Sequence, residues 1–153
     1  MSIHLSPIDP ETDYQQLAEL ITRDSCEPVT VERLRALDQF PKHGMVRLQV
    51  AATAACRHIV GFAEILHDEK CMPAGHFHFQ LIVEKEQRGR GIGQMLYDDV
   101  LEFAREQGAS RLSVDVLIDA NDGLRFATRR GFTVAGGETA SCPDYYRLVR
   151  DLP

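Results

Sequence analysis

The sequence predicts an α/β fold, a single domain over residues 1–153 built on a mixed sheet, with elements in the order β-α-α-β-β-β-α-β-α-β-β. Three observations carry this. Residues 46–83 contain three segments with apolar character at strand spacing, joined by short loops, which reads as an antiparallel meander. Residues 79–97 run from an apolar strand through a glycine loop into a helix. A further alternating segment, 112–118, follows that helix, and a strand, crossover helix and strand imply a parallel pair with a right-handed crossover. A chain of 153 residues suits one core, and no linker, low-complexity tract or repeat divides it.

Taken in order, residues 3–8 form a first strand that ends at Pro7 or Pro10. Asp9 or Thr12 caps a helix whose stripe is Tyr14, Leu17, Ala18 and Ile21. Residues 24–28 break it. Thr30 opens a second helix with Val31, Leu34 and Leu37 on its apolar face, and residues 40–44 end it. Val46, Leu48 and Val50 alternate on a strand, 51–57 is a turn, and 58–66 is the next strand. Phe77, Phe79, Leu81 and Val83 alternate on the third of this group. A helix over 92–107 stops at Gly108, and Leu112, Val114, Val116 and Ile118 form a strand. Asp119 or Asn121 caps a short helix through Leu124, Phe126 and Ala127. Strands then start near Thr133 and at Tyr145.

Composition excludes several classes. With 44% hydrophobic and 26% charged residues the chain is globular. Its apolar runs fall short of the ~20 residues of a membrane span. No basic patch followed by an apolar core marks a signal peptide, so a cytoplasmic protein is expected. A formal charge of −6 and the lack of a basic aromatic run argue against nucleic acid and anionic membrane as partners. Cys26, Cys56, Cys71 and Cys142 are widely spaced and read as free thiols in a reducing compartment. His67, Cys71, His76 and His78 cluster in sequence, but their spacing is not a zinc pattern, so no metal is expected.

The loop between residues 83 and 94 is the most informative stretch. It carries Gly89, Gly91 and Gly93 with Arg88 and Arg90, a local positive spot on an acidic chain. Glycines admit a ligand close to backbone N–H groups, and the helix start adds unpaired donors and a positive dipole end. This composition suits a phosphate. The P-loop is excluded because Gln94-Met95 follows Gly93. The dinucleotide fingerprint is excluded because the sixth position counted from Gly89 is Gln94, and from Gly91 it is Leu96. The pattern that fits is R-x-x-G-x-G over 88–93.

This loop resembles the acetyl-CoA pyrophosphate loop of the GNAT N-acetyltransferase superfamily. The predicted element order is that of the GNAT fold, and Arg130-Gly131-Phe132 resembles the Gly-Phe end of that family's last helix. The resemblance implies an acetyl-CoA-dependent N-acetyltransferase that passes an acetyl group directly to an amine of a small molecule or peptide. It implies that the strands over 77–83 and 110–118 splay, that pantetheine pairs with backbone at Ile82 and Val83, and that N–H groups of Arg88, Gly89, Arg90, Gly91, Ile92 and Gly93 hold the pyrophosphate. Acetyl-CoA is the co-substrate. Two positions depart from the family. Its Tyr acid, four residues before the Gly-Phe glycine, is Ala127 here, and its Asn falls one place late, at Asn121, which can cap the helix or touch CoA.

The catalytic groups stay open. Glu64 and His78 are candidate bases, beside a water chain with no single base, and His76, His78 and Gln80 share one strand face. Tyr145 or Tyr146, in the last strand, could supply a proton to the thiolate, which with a pKa near ~8.5 is a tolerable leaving group even without one. The resemblance implies an acceptor pocket framed by residues 23–30, with Asp24 and Glu27, and by 136–144, with Glu138 and Asp144. Three rivals remain: an acyl-CoA-binding GNAT-like module with little turnover, a transferase of another acyl-CoA, and an unrelated phosphate-binding α/β protein. A homodimer through strands near the C-terminus is a further expectation.

Overall fold

The computed structural model describes residues 2–24, 28–38, 44–117, 121–139 and 145–153. Seven strands and four helices follow the predicted order: β1 (Ile3–Pro7), α1 (Tyr14–Asp24), α2 (Val31–Asp38), β2 (Gly44–Thr53), β3 (Ile59–Asp68), β4 (His76–Val83), α3 (Ile92–Glu106), β5 (Arg111–Leu117), α4 (Asn121–Arg129), β6 (Thr133–Thr139) and β7 (Tyr145–Asp151). They form one mixed sheet in the order β1-β2-β3-β4-β5-β7-β6. Among the described residues only β4 and β5 pair in parallel, joined over α3.

The period of two sorts side chains between two layers. Phe77, Phe79 and Val83 on β4 turn to one face and pack with Leu96, Tyr97 and Val100 of α3 and with Phe132. Val50, Phe62 and Ile82 turn to the other face, where Leu17, Leu20, Ile21 and Leu34 of α1 and α2 cover them. At the start of α1, Asp13 is fully buried, and its carboxylate is held by Arg57 through Nε at 2.9 Å and Nη2 at 2.6 Å. Thr30 Oγ1 accepts the Arg33 N–H at 3.2 Å, the cap the sequence assigns to α2.

The largest boundary difference from the sequence reading is at the end of β2. β2 does not end at Val50 but continues through Ala51, Ala52 and Thr53, leaving the turn to the residues after them. β1 pairs along this extension, from Ile3 against Thr53 to Pro7 against Gln49. Ala51 and Ala52 are both buried, so polar alternation is absent where the sheet is covered on both faces.

Candidate active site

β4 and β5 pair only from His76 with Arg111 to Phe79 with Val114. Both strands continue, β4 to Val83 and β5 to Leu117, without further pairing to each other. A cleft of about 1400 Å³ occupies this gap, with Leu81, Ile82 and Val83 on one wall and Val114, Asp115 and Val116 on the other. It opens to both faces of the sheet, towards the glycine loop and α4 on one and towards α1 and α2 on the other.

On the α3 side, a single 3-10 turn, Lys85–Gln87, leads into the loop. Arg88 Nε donates to the Val83 carbonyl at 3.0 Å, which ties the first loop arginine back to β4. Gly89 and Gly91 have φ of 79° and 85°, left-handed values that favour glycine, and a Cβ at either would meet nothing within 4 Å. Gly91 is the N-cap of α3 and supplies no side-chain cap, so the first N–H groups of the helix have no partner within it. Gly93 acts differently: a Cβ there would stand 3.1 Å from Phe126 Cε2, so this glycine permits close packing of α3 on α4. Arg88, Gly89, Gly91, Ile92, Gly93 and Asn121 all line the cleft. Arg90 is exposed and is not among the lining residues, and the Arg88 N–H is already taken by the Lys85 carbonyl at 3.4 Å.

Arg130 is the residue here that sequence reasoning missed. Its guanidinium carbon lies 3.4 Å from the centre of the Phe126 ring, Nη1 donates to the Phe126 carbonyl at 2.9 Å, and Nη2 donates to Gln94 Oε1. Its Nε is buried without a partner, and burial pushes the guanidinium pKa down from its ordinary value. It lines the cleft beside the loop. The available signal was its place immediately before Gly131-Phe132.

On the α1 and α2 side the cleft is lined by Glu64 with Asp24, Arg33, Leu34 and Phe62. Glu64 is 8% exposed. Burial raises its carboxyl pKa, and the Arg33 guanidinium draws it partly back down. His78, the other candidate base, is not among the lining residues. Its Nδ1 lies 2.8 Å from Ser113 Oγ, which also meets His76 Nε2 at 3.1 Å, and its Nε2 lies 3.7 Å from Asp115 Oδ2. The hydroxyl has one proton, so at least one imidazole donates to it. Burial pushes the His78 pKa down to about 4, outweighing the upward pull of Asp115. Asp115 does line the cleft, held by Arg147 through Nε at 3.0 Å and Nη2 at 3.2 Å.

Two further side chains are placed by the strand register. Tyr146 is 37% exposed and outside the cleft, whereas Tyr145 lines it, because neighbouring residues of β7 turn to opposite faces. His67 turns to the α3 face, stacks on Phe77 at 5.0 Å and meets the His76 carbonyl through Nδ1 at 2.7 Å. It therefore faces away from His76 and His78, and among the described residues no metal-ligating group of three or more converges. Cys56 and Cys71 are free thiols; Cys26 and Cys142 lie outside the described residues, as do Glu27, Asp144 and the side chain of Glu138.

The profile of the acetyltransferase (GNAT) family matches residues 14–132, which span the splayed strands, the glycine loop and the Gly-Phe pair. The chain belongs to the GNAT acetyltransferase family. No curated protein sequence matches it. Solved structures share the GNAT fold at low identity. A GCN5-related N-acetyltransferase from Kribbella flavida is 20% identical with a TM-score of 0.76, covering 98% of each chain. Ard1 from Thermoplasma volcanium is 19% identical with a TM-score of 0.79, covering 100% of this chain and 99% of its own. The PaiA N-acetyltransferase from Thermoplasma acidophilum, solved with coenzyme A, is 16% identical with a TM-score of 0.76, covering 99% and 100%. As a GNAT enzyme the protein is an acetyl-CoA-dependent acyltransferase. At the family's Tyr position Ala127 lines the cleft and is buried, so no hydroxyl reaches the site from there. No helix among the described residues is long and apolar enough to cross a membrane.

Proposed function

We propose that the protein transfers the acetyl group of acetyl-CoA to an amine by direct attack, with Glu64 as general base. The observation that carries this is the cleft itself. It runs without interruption from the unpartnered N–H groups at the start of α3 to a buried carboxyl on the opposite face of the sheet. The pyrophosphate rests on N–H groups from Gly89 onward, assisted by the Arg130 guanidinium, and the pantetheine arm lies along the unpaired end of β4. The acceptor enters from the α1 and α2 side. Glu64 takes a proton from its ammonium, the amine attacks the thioester carbon, the carbon–sulfur bond breaks with the electron pair left on sulfur, and the second proton, shed by nitrogen as the amide forms, passes to the thiolate. Burial raises the Glu64 pKa and so makes its carboxylate a stronger base than an exposed one. Tyr145 brings the nearest described last-strand hydroxyl to the cleft as a proton source for the thiolate.

The test is release of free CoA thiol with a panel of amines. Wild type turns over. Glu64→Gln keeps acetyl-CoA affinity but loses ~10²–10⁴-fold in kcat, the range of a general base. Arg130→Ala instead weakens acetyl-CoA binding ~10-fold, as expected for one charge-assisted contact. Binding of acetyl-CoA without thiol release from any amine would favour a binding module, for which the missing hydroxyl at Ala127 speaks. A Glu64→Gln enzyme as fast as wild type would remove Glu64 as the base.

A further inference from the structure

Arg33 lines the cleft on the same side as Glu64. The helix α2 holds it there. Thr30 Oγ1 accepts the Arg33 N–H at 3.2 Å, and the next residue, Leu34, is 2% exposed and packs on the sheet, which leaves the Arg33 side chain exposed at the rim. Among the described residues the guanidinium makes no hydrogen bond and no ion pair. The other charged groups lining this side have partners. Asp24 has Arg23 at 3.8 Å, and Asp115 has both Arg147 nitrogens. Arg33 reaches Glu64 only through its field: it draws the carboxyl pKa down, yet the two form no ion pair. The acceptor half of the cleft therefore presents one positive and one negative group that border the same space and stay apart.

We infer that Arg33 binds a carboxylate of the acceptor, which makes the acceptor a free amino acid, with amine and carboxylate in one small molecule. This rests on the acetyltransferase reading above and narrows its acceptor. A zwitterion complements the two groups, its ammonium at Glu64 and its carboxylate at Arg33. The planar guanidinium offers parallel N–H donors that match a carboxylate. The carboxylate takes no part in the bond changes. It fixes one end of the acceptor, so that the nitrogen deprotonated by Glu64 is held facing the thioester. A chain with a formal charge of −6 repels anions in general, so a carboxylate needs a local cation to settle in this cleft. An amide or a simple amine in the same place leaves Arg33 without a partner.

The experiment compares wild type with Arg33→Gln and Arg33→Lys on a panel of free α-, β- and γ-amino acids and, for each, its amide and the amine lacking the carboxyl group. Turnover is followed by thiol release, and binding of each amino acid and of acetyl-CoA by calorimetry. In wild type at least one free amino acid exceeds its own amide by ~10-fold or more in kcat/KM. Arg33→Gln brings that ratio close to 1, mainly through the KM of the amino acid, and Arg33→Lys restores part of it. A wild type that acetylates no free amino acid or uses the amide equally well, or a preference that survives Arg33→Gln, overturns the inference and leaves the acetyltransferase reading intact. An Arg33→Gln enzyme that loses acid and amide turnover alike makes the arginine a support for Glu64 or for the fold, and one that no longer binds acetyl-CoA makes it a cofactor contact; either result also overturns the inference. Amino-acid binding that depends on Arg33 in a protein that binds no acetyl-CoA would instead defeat the acetyltransferase reading alone.

Discussion

Glu64 is buried and His78 half-buried, and their shifts have opposite consequences for stability. The Glu64 pKa is raised in the folded state, so its contribution is fully present below the unfolded carboxyl pKa and is lost as pH rises through the folded value. Glu64→Gln, which never ionises, therefore melts higher than wild type at about pH 8 and loses that advantage near pH 4. Melting curves at the two pH values check this, and equal differences at both would contradict it. His78 is depressed from 6.5 to about 4, so its contribution is present above 6.5 and is lost as pH falls between those values. The imidazole is neutral at assay pH. The sequence left Glu64 and His78 open as bases, and Tyr145 and Tyr146 open as proton sources, because each strand's period of two is legible but the layer each face meets is not. Only the register settles that Glu64 and Tyr145 border the cleft while Tyr146 does not. Arg130 was hidden for a similar reason. Its role depends on α4 bringing it over Phe126 and against Gln94 at the start of α3.

At the scale of elements, the glycine loop was legible because its constraints are local. Positive φ at Gly89 and Gly91 and an uncapped helix start belong to one short stretch of chain. The end of β2 was not legible, because pairing with β1 and burial on both faces decide it, and Ala51 and Ala52 carry no alternation to reveal it. The strand-to-strand turn that follows has its own anchor. Arg57, with φ of 50°, reaches from it to the fully buried Asp13 ahead of α1. Burial alone would raise the Asp13 pKa, but the Arg57 hydrogen bonds, the Asp9 N–H and the Arg57 charge hold it below the usual carboxylate range. Arg57→Ala leaves that carboxylate buried and unpaired. It costs about 3 kcal/mol, the lower end for a broken buried pair, because the Arg57 side chain is 40% exposed. Denaturant melts check the value, and a loss below about 0.5 kcal/mol would show that Asp13 finds water or another donor.

For the whole molecule, the order of elements was readable because each element announces itself by period and cap, and the α-helical crossover over α3 fixes the parallel pair of β4 and β5. The insertion of β7 between β5 and β6 was not, since it depends on which edge the last strand joins. The proposed function turns on a feature of the assembled sheet: two parallel strands that part beside an uncapped helix start. The most direct test is calorimetric binding of acetyl-CoA to wild type, Gly91→Ala and Gly91→Glu. Both substitutions bear the same left-handed backbone cost of about 1–2 kcal/mol, and a Cβ at this position meets nothing within 4 Å. The glutamate alone adds bulk and negative charge at the start of α3. The account predicts that wild type binds, that Gly91→Ala stays within about 10-fold, and that Gly91→Glu weakens binding by about 100-fold or more. A wild type that binds no acetyl-CoA, or a Gly91→Glu variant that binds as tightly as Gly91→Ala, would contradict it.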